Sequence, residues 1–232
     1  MINLFRIEFY KLSKFLFGYI AILFMLVIGF TYGGIKLSEL EINTSDVFNY
    51  VICDTSFVFV MSLVSALFIG KDFSNRTICN EIKMGYSRFQ ILLSKMIAVC
   101  AFAVLLHMIY IISTIIGFVV IRGFDTRVLC SENALWLLAV SLQLAAIISG
   151  VVLICFIARK SLEAITLSVM YAFICCNLLR NFISSKIFTM SCFCFVQDSN
   201  MENLLFAAIS AFITMILFLV IATFGFNKAD VK

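Results

Sequence analysis

The sequence contains no proline, one histidine and one tryptophan, and only 13% of its 232 residues are charged. Soluble globular domains carry about a quarter charged residues, so this scarcity of charge excludes an ordinary soluble protein. One histidine and the lack of any Cys-x-x-Cys pair leave a structural zinc site without its usual ligands, and we expect no metal site. Without proline, a helix must bend at glycine, at Ser or Thr, or at a π-bulge.

Hydrophobic residues make up 63% of the chain and are grouped in runs far longer than barrel strands. Inside lipid the backbone polar groups of such a run must be satisfied within the segment, so each run is predicted to be a helix. We therefore expect an all-α integral membrane protein with one domain, residues 1–232. Its six predicted transmembrane helices lie within 15–35, 47–70, 96–121, 133–157, 164–179 and 203–227.

Two further segments are apolar without being able to span. Residues 1–14 place Ile2, Phe5, Phe9 and Leu12 on one helical stripe, which predicts an amphipathic helix lying among lipid headgroups. Residues 180–202 contain an apolar piece too short to cross, and they are predicted to form a re-entrant segment between spans five and six.

The positive charges are distributed unevenly between the two sides of this layout. Segments predicted to be cytosolic hold 12 of the 17 Lys and Arg residues. By the positive-inside bias, both termini should be cytosolic. This orientation explains the net positive charge, so we expect no binding to nucleic acid.

Residues 71–95 form a polar stretch between the second and third spans, with five basic residues against Asp72 and Glu81. Its middle predicts a short helix over 74–84 that Gly85 ends in a left-handed conformation. Ser87 and Gln90 have the spacing of a capping box at the start of the next helix. A short helix held between two spans is suited to docking a soluble partner, which makes it a candidate coupling helix. The alternative is an ordinary solvated loop.

This stretch resembles the cytosolic loop of type 2 ABC exporter permeases, the ABC-2 type. In that loop an acidic residue and Phe precede a Thr-Ile pair, followed by Gly-x-Ser-Arg and then Ser-Lys. Many members carry glycine just before the Thr, where this chain has Arg76. The amphipathic entry helix and the outer re-entrant segment are similar to those of the same family. The matching residues are Asp72, Phe73, Thr77, Ile78, Gly85, Ser87, Arg88, Ser94 and Lys95.

The resemblance implies the membrane subunit of an ABC exporter in a bacterial cytoplasmic membrane. It implies a second permease chain, identical or homologous, and two copies of an ATPase subunit that bind ATP and Mg. This chain has no P-loop of its own, since Gly70-Lys71 is preceded by Ser65 where the first P-loop glycine should stand, so it should be no enzyme and bind no cofactor. Short members often serve resistance to peptide antibiotics, bacteriocin immunity, or drug and ion efflux. The expected ATPase-docking residues are Arg76, Thr77, Ile78, Glu81, Ile82, Lys83 and Arg88.

Polar residues inside the predicted spans are candidates for a substrate path or for hydrogen bonds between helices, since buried polar groups in membranes serve either use. They are Asp54, His107, Gln143 and Asn177. Gly29 and Gly33 are spaced for close packing of two helices, or they loosen the end of the first span.

Two other function classes compete with the exporter. A substrate-capture subunit of a vitamin importer also has six spans, but it would not need a docking loop of this length. An intramembrane enzyme lacks the His and acidic ligands that its chemistry requires. Among nine cysteines, Cys130, Cys192 and Cys194 lie on the predicted outer side, where one disulfide is an alternative to their being small buried hydrophobes.

Overall fold

The computed structural model describes residues 1–37, 48, 50–55, 57–123, 131–175, 195 and 201–227. The regular elements of this described part are all helical, as predicted. Asn177, Cys130, Cys192, Cys194 and nearly all of the segment 180–202 lie outside it. The helices are α1 (Ile2–Ser13), α2 (Leu16–Thr31), α3 (Val58–Ser74), α4 (Thr77–Lys83), α5 (Arg88–Arg122), α6 (Ser131–Ala158), α7 (Ser161–Phe173) and α8 (Met201–Asn227), with a π-helical segment (Tyr32–Leu37) continuing α2.

Four described stretches are long and apolar enough to cross a membrane, namely Leu16–Ile35, Arg88–Ile121, Ala134–Ala158 and Met201–Asn227. Helices α3 and α4 together form a fifth candidate that is bent by 61°. Helix α7 has 13 residues in the described part, fewer than the roughly 20 that a crossing requires. The described part is therefore a multi-pass membrane domain with four or five candidate spans, where the sequence predicted six.

Two helix boundaries differ from the predicted ones. The second span was predicted over 47–70, but α3 begins at Val58 and extends to Ser74. Asp54 and Thr55 are not helical, and the Asp54 carboxylate accepts a hydrogen bond from Tyr110. The coupling helix was predicted over 74–84 and is shorter, Thr77–Lys83, because a turn at Asn75 and Arg76 separates it from α3.

Helix α6 lies at the centre of the bundle and packs against α3, α5, α7 and α8. Its inward residues are fully covered, among them Leu144, Ile148 and Val152. Helices α2 and α8 instead present large apolar side chains outward, for example Leu23, Phe206 and Phe212. A soluble monomer rarely exposes so much contiguous apolar surface, and lipid is its natural solvent here.

Helices α2 and α5 approach each other closely at glycines. A Cβ atom added to Gly29 would lie 3.0 Å from the carbonyl oxygen of Tyr110, and one added to Gly33 would overlap the carbonyl oxygen of Thr114. On the opposite side, a Cβ atom on Gly117 would overlap the carbonyl oxygen of Phe30. The two backbones can lie this close only because none of the three positions carries a side chain.

The N-terminal helix α1 packs against α5 through Leu4 and Glu8, both fully buried. The apolar stripe expected to contact lipid lies on a different face, with Ile2 and Phe9 exposed and Phe5 half-buried. A fully buried glutamate on this helix was not expected, and its partners lead to the candidate site.

Candidate functional site

The candidate site lies at the end of the bundle where α1, α3, α4 and α5 meet. Helix α4 is bounded by two special backbone positions. Arg76 precedes it with φ 54° and ψ 23°, the left-handed region that glycine adopts most readily. This conformation accounts for the glycine that many type 2 exporter permeases carry just before the Thr.

Gly85 ends α4 as predicted, with φ 88°. The Gly85 N–H donates to the carbonyl of Ile82 at 3.0 Å, and the Tyr86 N–H donates to the carbonyl of Glu81 at 3.3 Å. These two bonds form a Schellman motif, which satisfies carbonyls at the helix end.

The predicted capping box at the start of α5 is confirmed. The Gln90 N–H donates to the Ser87 hydroxyl at 3.3 Å, and the Ser87 N–H donates to the Gln90 side chain at 3.2 Å. The two motifs fix the chain between the end of α4 and the start of α5.

Five charged side chains from the four helices converge in one group, here called the charge cluster. Its members are Glu8 and Lys11 of α1, Asp72 of α3, Glu81 of α4 and Lys95 of α5. Lys95 and Glu8 are fully buried, and Asp72 and Glu81 are 7% and 5% exposed. Buried charges are costly unless they are paired, so the geometry of the pairs decides whether the cluster is tolerated.

Lys11 bridges α1 to α4. Its Nζ lies 2.8 Å from Glu8 Oε1 and 2.6 Å from Glu81 Oε1, and 3.7 Å from Asp72 Oδ2. Its side chain is 25% exposed, which makes it the most accessible member of the cluster.

Lys95 bridges α5 to α1 and α3. Its Nζ contacts Asp72 Oδ2 in a short ion pair and lies 3.0 Å from Glu8 Oε1, and it lies 3.8 Å from Glu81 Oε1. Glu8 Oε1 therefore accepts from both ammonium groups, which makes it the central acceptor of the cluster.

The cluster contains three carboxylates and only two ammonium groups. One oxygen of Glu8 and one of Glu81 are buried without a hydrogen-bond partner among the described residues. Ligand oxygens of Glu8, Asp72 and Glu81 lie within 4.8 Å of one another, a spacing that hard cations also favour. Here the positive charge between them comes from Lys11 and Lys95.

The surroundings shift the pKa values of the two glutamates in opposite directions. Burial acts to raise the pKa of Glu8, but Lys95 and Lys11 outweigh it and hold the pKa below its ordinary value of 4.5. Burial raises the pKa of Glu81 above 4.5, and Lys95 and Lys11 oppose it only in part. Burial also acts to lower the pKa of Lys11, yet its hydrogen bonds to Glu8 and Glu81 raise it. Of the two glutamates, Glu81 is therefore the one whose ionised form the cluster disfavours.

The outward face of α4 carries Arg76, Asn80, Lys83 and Met84, all exposed. Of the seven predicted docking residues, Thr77 and Ile82 are half-buried beside this face. Helix α4 therefore has an exposed polar face on its outward side and a buried face, which carries Glu81 of the charge cluster, on its inward side.

Three of the predicted docking residues do not lie on the outward face. Glu81 is buried in the charge cluster, and Ile78 is 1% exposed in the core beneath α4. Arg88 is half-buried and donates to the carbonyls of Phe226 and Asn227 at 2.6 and 3.0 Å, which satisfies the end of α8. These three side chains therefore do not face outward in the single chain, and a docking role for them stays a prediction.

The predicted polar residues inside the spans divide into two groups. Asp54 accepts a hydrogen bond from Tyr110 at 2.7 Å, and His107, one turn before Tyr110 on α5, is 2% exposed. Gln143 is fully buried in α6.

One comparison with known proteins decides the family. Residues 4–175 match the model of the ABC-2 family transporter protein. The chain belongs to this family. No curated protein and no solved structure matches the chain.

Membership of the ABC-2 family makes the chain a permease subunit of an ABC transporter and implies an ABC ATPase partner. The matched range contains most of α1, all of α2 to α7, and all five members of the charge cluster. The cluster is thus a feature of the transporter domain itself.

The sequence did not lead us to Glu8 and Lys11 as site residues, although Asp72 and Lys95 were part of the recognised motif. One signal was present, because Glu8 and Lys11 are three residues apart and therefore adjacent on a helix. Their partner Lys95 is 87 residues from Glu8, and no local pattern connects the two.

The opposite pKa shifts predict opposite effects of two isosteric substitutions. Glu8→Gln should lower the free energy of unfolding by about 1–3 kcal/mol at neutral pH, because it removes a favoured charge that pairs two buried ammonium groups. Glu81→Gln should leave it unchanged or raise it. Unfolding of the detergent-solubilised protein between about pH 2 and pH 8 measures both.

The direction of each pKa shift determines how the free energy of unfolding changes with pH. A lowered pKa means that Glu8 contributes stability above 4.5 that is lost as the pH falls through the folded-state value. A raised pKa means that Glu81 contributes stability below 4.5 that is lost as the pH rises. Glu81→Gln should therefore flatten the alkaline side of the profile, and Glu8→Gln the acidic side. The reverse assignment would contradict this description of the cluster.

Proposed function

We propose that the chain is the permease subunit of an ATP-driven exporter with six spans and both termini in the cytosol of a bacterium. Two permease chains, identical or homologous, would form the path, and two ATPase subunits carrying ATP and Mg would bind beneath them. The transported substrate would be a peptide antibiotic, a drug or an ion. Family membership and the predicted charge asymmetry support this proposal.

The two-faced geometry of α4 is the observation that carries the proposed docking role. The helix is bent by 61° from α3, so it does not continue the direction of that helix. Its outward face is basic and exposed at Arg76 and Lys83, and its inward face is fixed by Ile78 and Glu81. A docking helix needs such an arrangement, since one face must bind the partner while the other passes movement to the spans.

The charge cluster supplies the connection between α4 and the spans. Glu81 links α4 to α1 through Lys11, and Lys95 links α5 to α1 and α3 through Glu8 and Asp72. Separating buried ion pairs leaves uncompensated charges and costs several kcal/mol, so these helices should move together when the ATPase moves α4. In this account the cluster is a rigid joint, and opening occurs elsewhere in the bundle.

A binding experiment tests the docking role. The chain is co-expressed with a candidate ABC ATPase subunit from the same genome and isolated from detergent by a tag on the permease. We expect Arg76→Glu with Lys83→Glu to reduce co-isolated ATPase at least about tenfold, because reversing exposed charges opposes an interface selected for them. ATPase stimulation by the permease should fall in parallel.

The matched control reverses the same number of exposed basic residues elsewhere. Arg159 and Lys160 are exposed in the turn between α6 and α7. Arg159→Glu with Lys160→Glu should bind the ATPase much as the wild type does. If the α4 variant also bound and stimulated the ATPase like the wild type, α4 would not be the docking element.

For the substrate path, we propose Asp54 and His107, with Gln143 facing the bundle interior and Asn177 outside the described residues. Ionisable groups at membrane depth commonly mark substrate pathways. Asp54, in the turn before α3, and His107 of α5 are the two ionisable residues of this set.

A further inference from the structure

The first residue of α5 holds the last turn of α8. Arg88 is half-buried, and one nitrogen of its guanidinium donates to the carbonyls of Phe226 and Asn227 at 2.6 and 3.0 Å. These bonds connect positions that are 138 and 139 residues apart in the chain. Arg88 is also the third residue after Gly85, so the contact lies directly beyond the end of the docking helix α4.

The contact matches what the end of α8 requires. The last four carbonyls of a helix have no donor within the helix, and this end carries partial negative charge. Helix α8 has no basic residue in its own last turn. Arg88 supplies a cation from another helix, and its bonds to the carbonyls are charge-assisted, which makes them stronger than bonds between neutral groups.

A row of aromatic rings continues from this contact into the bundle. The Arg88 guanidinium carbon lies 5.4 Å from the centroid of the Phe226 ring, which is 1% exposed. The Phe226 ring packs edge-on against Phe156 of α6, with centroids 5.1 Å apart, and Phe156 packs edge-on against Phe73 of α3 at 5.3 Å. Edge-to-face pairs at these distances are favourable. The last turn of α8 is therefore linked to α5 directly and to α3 through α6.

This contact reaches a helix outside the charge cluster, whose five members lie on α1, α3, α4 and α5. Between α4 and Arg88 the chain is short, and it is fixed by the Schellman motif at Gly85 and the capping box at Ser87. A displacement of α4 is therefore passed to Arg88. If the end of α8 did not follow, the partly buried Phe226 carbonyl would lose a charged donor, which costs free energy.

We propose that Arg88 is the positioning residue that passes movement of α4 to α8, so that the last candidate span follows the docking helix. The inference rests on the proposed function, because it specifies one route by which an ATPase bound at α4 would act on the spans. It differs from the sequence prediction, which made Arg88 a contact of the ATPase. In the role proposed here, Arg88 acts on the backbone carbonyls of α8 within the permease itself.

Hydrogen exchange in the complex with the ATPase tests this route. The permease and the candidate ATPase subunit are isolated together in detergent, and exchange is followed by mass spectrometry with and without a non-hydrolysable ATP analogue. In the wild type we expect the analogue to change exchange rates at least about threefold in both α4 and the last turn of α8. In Arg88→Gln the change in α4 should remain, and the change in α8 should fall below about 1.5-fold.

The comparison with and without the analogue distinguishes a route for movement from a static cap. A static cap would let the last turn of α8 fray in Arg88→Gln, which raises exchange there while the response to the analogue stays as in the wild type. Arg88→Lys keeps the charge but not the planar guanidinium, so it should retain part of the response. Arg159→Gln neutralises an exposed arginine between α6 and α7 and should respond as the wild type does.

Co-isolation of the ATPase is measured for each variant, so that docking and the response of α8 are judged separately. Arg88→Gln should retain the ATPase within about twofold of the wild type, because Arg88 faces α8. If this variant lost the ATPase while Arg159→Gln kept it, Arg88 would be a docking contact and the proposal would be wrong. Docking itself is decided by Arg76→Glu with Lys83→Glu, and its outcome does not depend on Arg88.

Two further results would overturn the proposal: no response of α8 in the wild type, or a full response of α8 in Arg88→Gln. If Arg88→Gln does not fold, Phe226→Leu takes its place, since it removes the ring and leaves both carbonyl bonds. Phe226→Leu should reduce the response of α8 about twofold, the share of one ring face, and an unchanged response would count against the route.

Discussion

Replacing Lys95 with methionine is expected to lower the free energy of unfolding by about 3–5 kcal/mol. The Lys95 ammonium is fully buried and pairs with Glu8 and Asp72. Methionine matches the length of the side chain but leaves three buried carboxylates facing the single ammonium of Lys11. Chemical unfolding of the detergent-solubilised protein measures the loss.

Two companion variants show whether the loss comes from charge. Lys71→Met removes an exposed ammonium one position before Asp72. The Lys71 ammonium lies 6.0 Å from the centroid of the Phe15 ring, and its loss should have little effect. Adding Asp72→Asn to Lys95→Met should recover part of the stability, because it removes one of the uncompensated carboxylates. An unchanged stability of Lys95→Met would mean that the cluster does not hold these helices together.

Replacing Gly33 with alanine is expected to cost at least about 3 kcal/mol, the upper end of what overpacking of a well-packed core costs. The new Cβ atom would overlap the carbonyl oxygen of Thr114. Because the obstructing atom belongs to the backbone of α5, a side-chain rotation cannot relieve the overlap and the two helices must separate. Thermal unfolding and expression level both report this loss.

Gly225→Ala is the matched control, since a Cβ atom there meets nothing within 4 Å. Gly225 lies in α8, and alanine is the better helix former by about 1 kcal/mol, so the substitution should leave stability unchanged or raise it. If both glycine variants behaved alike, the close approach of α2 and α5 would not explain the role of Gly33.

Most helices of this protein could be predicted from the sequence because the signals are local. The long apolar runs predicted the spans, Gly85 predicted the C-terminal end of α4, and Ser87 with Gln90 predicted the start of α5. Each of these signals acts over four or five residues, within reach of a single helical turn. The described part shows four or five of the six predicted spans.

The orientation of α4 could not be predicted. A helix of seven residues can turn either face inward, and the choice depends on side chains from α1 and α5 that are distant in sequence. From the sequence alone Glu81 is expected to be a solvent-exposed acid, because its partners Lys11 and Lys95 lie on other helices. The same holds for Arg88, whose carbonyl partners are at the far end of the chain.

The start of α3 and the π-helical segment have a similar explanation. Asp54 interrupts an apolar run, but only the contact with Tyr110 shows that the chain turns there. The π-helical segment begins at Tyr32, beside Gly33 and Gly34, where α2 must adjust to the backbone of α5. The absence of proline limits the kinds of bend that a helix can have. It does not indicate at which residue a bend occurs.

The coupling energy between Lys95 and Glu8 tests most directly whether charge joins α5 to α1. The free energy of unfolding is measured for the wild type, Lys95→Met, Glu8→Gln and the double variant. We expect the double variant to be more stable than the sum of the single effects predicts by at least about 1.5 kcal/mol, because each single variant leaves the other charge uncompensated. Additivity within about 0.5 kcal/mol would contradict the account.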